Sequence, residues 1–266
     1  MEGDNMSTYI IGDIHGCYNE LMSMLELVRF SDSDTLICVG DYIDRGSQSL
    51  EMLKWLENKT ENIIALRGNH EEEFVESVGI LVGVDRKEKL ETDFSSAEES
   101  QALYDTAMYF IRKTAPEAVL FFDTYRTIKR LLFDKNCTID DLQRWSAMIK
   151  RMPYYHELTV NGRNYIAVHA GYTEDGSKKD REDFYLYARE ENMESGGKER
   201  TTIIAGHTPT IIEGEFAYTG GEVFKHYDEE LDCTFYDIDC GCVFRHKYDN
   251  AQMACIRLED EKVFYV

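Results

Sequence analysis

Tyr9-Ile10-Ile11-Gly12-Asp13-Ile14-His15-Gly16 sets an apolar run against a glycine-flanked loop that carries an aspartate and a histidine. The arrangement returns twice. Leu36-Ile37-Cys38-Val39 runs into Gly40-Asp41-Tyr42-Ile43-Asp44-Arg45-Gly46, and Ile63-Ile64-Ala65-Leu66 leads to Gly68-Asn69-His70-Glu71. Asp13 and Asp41 are 28 residues apart, and Asp41 and His70 are 29. That interval is about one strand–helix–strand unit, roughly 30 residues. Each apolar run reads as a buried strand that ends in glycine. Ligands of open α/β sheets bind beyond the carboxyl ends of the strands. The three loops are therefore expected to converge, bringing together Asp13, His15, Asp41, Asp44, Arg45, Asn69 and His70. Hard oxygen donors mixed with imidazole suit first-row divalent metals. Asp41, in the middle loop, is the carboxylate best placed to bridge two ions.

The strands are expected at 7–12, 35–39 and 62–67. Between them, Asn19 to Phe30 carries Leu21, Met24, Leu25 and Val28 on one helical face, and Ser49 to Asn58 carries Leu50, Leu53 and Leu56 likewise. Glu71 to Val78 opens a further helix, whose acidic start suits the positive end of a helix dipole. From 79 to 150 the rhythm breaks. Gly79 and Gly83 are expected to loosen the chain, and 86–100 is charged with little periodicity. A helix is expected from Ala102, with Pro116 at one of its ends or at the start of another. Thr138-Ile139-Asp140-Asp141 reads as an N-cap with an acidic first turn. The chain is read as a single domain over 1–266 with 79–150 as a helical insertion. The insertion either lies over or beside the site or is a solvated excursion.

Beyond Pro153, Tyr155 to Val160 and Asn164 to Val168 read as a hairpin on the Asn161-Gly162 turn. Its second strand runs into His169-Ala170-Gly171. Phe184 to Glu191 is expected to be a short helix and Ser195-Gly196-Gly197 a flexible break. Thr201 to Ala205 is a strand that ends in Gly206-His207-Thr208-Pro209. Phe235 to Cys240 is another, and 251–266 forms a last hairpin. A lone histidine at a strand end is more often structural than a ligand. Here His169 and His207 join several other metal-competent groups delivered the same way, which turns the reading toward a site.

Together these blocks resemble the signature of the phosphoprotein phosphatases within the calcineurin-like metallophosphoesterases. The matching residues are Asp13-x-His15-Gly16, Gly40-Asp41-x-x-Asp44-Arg45-Gly46, Gly68-Asn69-His70-Glu71, His169-Ala170-Gly171 and Gly206-His207-Thr208-Pro209. The resemblance covers roughly 8–78 and 154–245 and leans to the bacterial and phage branch, near the lambda-phage type. It implies an α/β four-layer sandwich, a central mixed β-sandwich flanked by helices. It also implies two divalent metal ions, manganese first, with iron or zinc fitting the same ligands. Asp13, His15 and Asp41 would hold one ion, and Asn69, His169 and His207 the other, with Asp41 between. A metal-bridging water or hydroxide would attack phosphorus directly. Two ions about 3.5–4 Å apart can clamp a phosphoryl group in this way. His70 would be the general acid, oriented by Asp44. Arg45, Asn69 and Arg189 would bind phosphate, Arg189 through Tyr187-Ala188-Arg189 where relatives carry a Trp-x-Arg-like stretch.

Two substrate classes follow from the resemblance. One is phosphoserine and phosphothreonine in proteins, with phosphotyrosine also admitted. The other is diadenosine tetraphosphate or another small phosphoester, since His-Ala-Gly and Gly-Asp-Ile-His-Gly-Cys are similar to the symmetrical hydrolases of that dinucleotide. Asp44-Arg45-Gly46 and Glu71 favour the protein phosphatase branch, because those hydrolases usually carry Ala-Arg-Gly and Asp there. A binding scaffold on a relic site is a third reading, and it usually lacks a ligand that is present here.

Composition bounds the rest. The 266 residues are 43% apolar and carry a formal charge of −22. Such a surface repels nucleic-acid backbone and anionic membranes, so neither is an expected partner. Residues 1–7 show no signal peptide and no apolar run is long enough to span a bilayer, so a cytoplasmic location is expected. The seven cysteines lack a Cys-x-x-Cys pair. They read as buried thiols, with a zinc site at Cys233, Cys240 and Cys242 the lesser reading. Cys17 reads as a packed thiol or a redox sensor, and Asp239 as structural support. Oligomeric state has no signal in the sequence.

Overall fold

Three short parallel strands, buried on both faces, fix the centre of the molecule. Tyr9 and Ile11 of β1 (Thr8–Ile11) share one apolar cluster with Leu36 and Cys38 of β2 (Thr35–Cys38) and Ile63 and Ala65 of β3 (Ile63–Ala65). Ile10 and Ile37 belong to a second cluster on the opposite face. Successive side chains in a strand point to opposite faces, so strands buried on both sides need apolar residues throughout. The computed structural model describes residues 6–114, 122–189 and 200–266.

The first cluster packs against α1 (Tyr18–Leu27), α2 (Ser49–Asn58) and α3 (Asn69–Glu88). The second faces Tyr165 and Ala167 of β5 (Arg163–Val168), Ile204 of β6 (Thr201–Ala205) and Tyr236 of β8 (Cys233–Asp237). A third cluster covers the far side of that sheet with Tyr185 of α7 (Lys178–Tyr187). The layers run helices, sheet, sheet, helix. With β4 (Tyr155–Val160), β7 (Phe224–Asp228), β9 (Ala254–Arg257) and β10 (Lys262–Tyr265), the sheet orders are β10-β9-β1-β2-β3 and β4-β5-β6-β8-β7. Both are mixed: β1–β2–β3 and β5–β6–β8 run parallel, and β9, β10, β4 and β7 pair antiparallel at the flanks. The four-layer α/β sandwich read from the sequence is the observed fold.

The helical segment departs from expectation at its start. Gly79 and Gly83 do not loosen the chain; both lie inside α3, which continues to Glu88. Phe74, Val75, Val78, Leu81 and Val82 bury one face of that helix, and this packing outweighs the roughly 1 kcal/mol helix penalty of each glycine. The helix stops at Lys89, whose left-handed φ of 53° closes it. Then follow α4 (Ala97–Thr114), α5 (Phe122–Lys129), a π-helical turn over Arg130–Asp134, and α6 (Ile139–Ile149). Thr138 caps α6 as its sequence suggests, accepting from the Asp141 N–H at 3.2 Å. Leu103, Ile128, Leu132, Leu142 and Trp145 join the same apolar cluster as α1–α3.

Three smaller corrections come from the second half. The helix expected at 184–191 begins six residues earlier, because Ser177 and Asp180 form a capping box ahead of it, and it ends at Tyr187. The strand expected at 235–240 is shifted to 233–237. The edge strand β7, Phe-Lys-His-Tyr-Asp, has too little apolar character to stand out. The features read at Pro116 and Ser195-Gly196-Gly197 lie outside the described residues. The Asn161-Gly162 hairpin turn is present, both residues with positive φ. Among the described residues no helix is long and apolar enough to cross a membrane.

Candidate metal centre

Six strand ends meet at one edge of the sandwich. β1, β2 and β3 deliver Asp13 and His15, then Asp41, Asp44 and Arg45, then Asn69 and His70; β5 and β6 deliver His169 and His207, and β8 runs on to Asp239. The close approach constrains the backbone. A Cβ at Gly40 would come within 2.7 Å of the Gly68 backbone, and one at Gly206 would overlap the Asp13 carboxylate. His15, Asp41, Asp44, Arg45 and His207 all have positive φ, from 45° to 73°. Non-glycine residues enter that region at a cost and persist only where their surroundings over-determine them, most often at functional sites.

Glu71 supplies much of that determination. Its buried carboxylate accepts the backbone N–H of Asp41 at 2.7 Å and Gly68 at 3.1 Å on one oxygen. The other oxygen accepts Tyr42 at 2.9 Å and Ile43 at 3.4 Å. One side chain thus ties the second loop to the third. Glu71→Gln turns an amide NH2 toward two of these donors. The substitution is expected to cost about 1–6 kcal/mol, from about 1–3 kcal/mol for each of one or two buried donors left unpaired. Denaturant unfolding measures it, and unchanged stability would mean the donors are satisfied some other way.

Asp41 is the hub. Its Oδ1 lies 3.5 Å from His169 Nε2. Its Oδ2 lies 3.4 Å from His15 Nε2 and 3.8 Å from His70 Nε2. Burial alone would raise the Asp41 carboxyl, but its charged neighbours, His70 and Arg45 among them, hold it far below the usual carboxylate range. On the Oδ1 side, His169 Nε2 is 2.9 Å from Asn69 Oδ1 and 3.2 Å from His207 Nδ1, which is 3.1 Å from the same Asn69 oxygen. Ligands held 2.0–2.2 Å from one cation are mutually about 2.8–3.6 Å apart. The spacing of these lone-pair atoms fits that requirement. Burial, with a neighbouring imidazole or guanidinium, pushes His15 and His207 down and keeps both rings neutral, as ligation requires. The His15 Nδ1–H donates to Ile43 O at 2.9 Å, which leaves Nε2 with its lone pair. Asn69 is oriented in the same manner, its Nδ2 donating to Glu73 Oε1 at 3.4 Å.

Two groups of possible ligands therefore share Asp41: His15, Asp41 and His70, and Asp41, His169 and His207. The resemblance placed Asp13 beside His15 and Asp41. Asp13 is buried at the same edge, and both of its carboxylate oxygens accept the His207 N–H at 3.2 Å. Burial, together with Asp239, Asp41 and Asp237, pushes its carboxyl up. So dense a set of buried acids calls for cationic neighbours.

His70 differs from the other rings. Its Nδ1–H donates to Asp44 Oδ2 at 2.7 Å. Burial opposes a charge on it, yet Asp41 and Asp44 lift it to about 9. Arg45 Nη1 donates to His15 Nε2 at 2.8 Å, and its Nε lies 3.8 Å from Asp123 of α5. A cation on His15 and a guanidinium on the same lone pair exclude each other, so Arg45 has to turn outward in a loaded site. Arg189, just past α7, donates to Thr208 Oγ1 at 3.4 Å and lies 3.6 Å from Glu215. It is close enough to His207 to lower that ring. Asp239 is buried near Asp13 and accepts the Gly241 N–H at 3.0 Å.

Glu71, Glu73 and Thr124 were not singled out as site residues by their sequence context. Glu71 was legible as part of Gly-Asn-His-Glu, but not as a clamp. Thr124 belongs to no motif, yet its hydroxyl donates to Asp44 Oδ2 at 2.8 Å. Part of the helical segment thus reaches the site. The cysteines stand apart. All seven are free, Cys17 half-buried and the others buried, and none belongs to a described ligand group. Cys17 is packed against Cys242.

Comparison with known proteins agrees with this arrangement. The sequence model of the calcineurin-like phosphoesterases matches residues 6–244. A symmetrical bis(5'-nucleosyl)-tetraphosphatase of Methylobacillus flagellatus is 37% identical over 99 residues, 37% of this chain and 36% of that protein. One from Buchnera aphidicola is 52% identical over 67 residues, 25% of this chain and 24% of that protein. The matched stretches thus span about a quarter to a third of these relatives. A crystal structure described provisionally as a diadenosine tetraphosphatase superposes with a TM-score of 0.54 at 18% identity, covering 100% of this chain and 95% of that one, which speaks to the fold. These relatives bear the names of the dinucleotide hydrolases rather than of the lambda-type protein phosphatases.

Proposed function

We propose a reaction for this chain, which belongs to the calcineurin-like phosphoesterase family: metal-dependent hydrolysis of a phosphorus–oxygen bond, with a dinucleoside polyphosphate such as diadenosine tetraphosphate as the substrate. The observation that carries the reaction is the division of the Asp41 carboxylate, Oδ1 toward His169 at 3.5 Å and Oδ2 toward His15 at 3.4 Å. The substrate class is supported by the relatives named as symmetrical bis(5'-nucleosyl)-tetraphosphatases.

Asp13 and His15 would hold one divalent ion and Asn69, His169 and His207 a second, with Asp41 between them. Nitrogen and oxygen donors of this kind suit manganese, iron or zinc. Two such ions supply Lewis acidity at phosphorus and a water acidic enough to act near neutral pH. The protein does the rest. Arg45 and Arg189 bind the non-bridging phosphate oxygens, for which a guanidinium fork is well shaped. Glu73 keeps the Asn69 amide oxygen facing inward. Asp44 fixes the His70 ring, so that the proton on Nε2 points at the leaving oxygen. Glu71 holds the two loops that carry these groups in register.

A second reading, hydrolysis of phosphoserine and phosphothreonine, is favoured by the Asp44–His70 pair. An alkoxide leaving group needs a proton, whereas a nucleoside diphosphate departs readily without one. Parallel assays of the manganese-loaded protein on diadenosine tetraphosphate and on a phosphothreonine peptide separate the two. The expected result is ADP release with the higher kcat/KM. A higher kcat/KM on the peptide would replace the first substrate class with the second and leave the metal chemistry in place.

A further inference from the structure

We propose that Thr124, carried by α5 from the helical segment, is a positioning residue that sets the Asp44–His70 pair for proton transfer to the leaving oxygen. The proposal rests on the reading of His70 as the general acid.

Asp44 Oδ2 accepts two hydrogen bonds, from His70 Nδ1 at 2.7 Å and from Thr124 Oγ1 at 2.8 Å. Asp44 and Thr124 are both fully buried, at 0% exposure, so water does not compete for either. The Thr124 hydroxyl has one proton to donate. Its other neighbour, Glu73 Oε2, is farther away at 3.4 Å, so the proton goes to Asp44. A carboxylate held by the imidazole alone can rotate and offer either oxygen to Nδ1–H. A second donor on the same oxygen removes that freedom and fixes the plane of the carboxylate, and through it the tilt of the His70 ring. Proton transfer is sensitive to such tilts, because the donor must lie within hydrogen-bond reach of the leaving oxygen.

The helix that carries Thr124 is itself tied to the loop that carries Asp44. Arg130, just beyond α5, donates to Gly46 O at 3.3 Å. Thr124 is 80 residues from Asp44 in sequence, so its arrival at this oxygen is a product of the helical packing.

The test compares leaving groups on the full-length, manganese-loaded protein. Phenolate, expelled from phenyl phosphate, is a poor leaving group and needs the acid's proton; 2,4-dinitrophenolate, expelled from the dinitrophenyl ester, leaves well without it. Thr124→Val removes the hydroxyl at nearly constant volume. It is expected to lose about tenfold or more in kcat on phenyl phosphate and under about threefold on the dinitrophenyl ester, with KM unchanged on both. Thr124→Ser, which keeps the donor, is expected to restore the wild-type ratio. Equal loss on both esters, or no loss on either, overturns the proposal, as does a folded Thr124→Ser protein with the ratio of the valine variant. Thr124→Cys, a weak donor of similar size, takes the place of valine if that variant does not fold. His70→Asn is measured alongside. If it shows the leaving-group dependence and Thr124→Val does not, only the role of Thr124 fails. If His70→Asn shows none, the acid assignment fails and takes this proposal with it.

Discussion

Asp41→Asn is expected to lower turnover by about 10³-fold, the equivalent of the several kcal/mol that a correctly held metal pair contributes to phosphoryl transfer. An asparagine has one carbonyl oxygen. It can accept the His70 backbone N–H that Asp41 Oδ1 accepts at 3.1 Å. It then presents its NH2 group to His15 and His70 on the other side, where Asp41 Oδ2 now stands 3.4 and 3.8 Å away. An amide nitrogen does not ligate a divalent ion, so an ion held on the His15 side would lose the Asp41 oxygen as a ligand. The fold should survive. Asp41 has a φ of 52°, a conformation that asparagine tolerates better than most residues. Steady-state turnover with a parallel thermal melt checks both halves. A folded variant with more than a tenth of wild-type activity would remove Asp41 from the centre of the mechanism.

The second large effect belongs to His70. Its Nδ1 is committed to Asp44 at 2.7 Å, so it is oriented as a donor, unlike His169 and His207, whose nitrogens turn toward each other and Asn69. Positioned general acids contribute about 10²–10⁴-fold. His70→Asn is therefore expected to lose about 10²-fold or more in kcat on an alkyl phosphoester while binding the same number of metal ions. Metal analysis of the purified variant distinguishes this from ligand loss. If the variant lost an ion, His70 would be a ligand, as its place 3.8 Å from Asp41 Oδ2 also permits.

How much of this was legible in the sequence depended on the kind of signal. The three glycine-ended apolar runs were enough to place β1, β2 and β3 and to send Asp13, His15, Asp41, Asn69 and His70 to one edge. The Asn161-Gly162 turn and the Thr138 cap were readable because each depends on local chemistry. Gly79 and Gly83 misled, since helix propensity is weak beside the burial of Phe74, Leu81 and Val82. The left-handed backbone at Asp41, Asp44 and Arg45 had no local signal, because the fold rather than the residue type imposes it. Thr124 was invisible for the same reason, as no pattern near it anticipates a partner 80 residues away. Motif residues also ranked the two substrate branches differently from the comparisons. Asp44 and Glu71 are committed to the Asp44–His70 bond and to the loop clamp, and neither role depends on the group attached to the phosphate.

A dinuclear site organised by Asp41 is most directly tested by manganese binding followed by metal analysis and electron paramagnetic resonance. The account predicts two ions per chain with an exchange-coupled spectrum, and loss of the coupling in Asp41→Asn. One ion per chain, or two with the unperturbed six-line spectrum of isolated manganese, would contradict it.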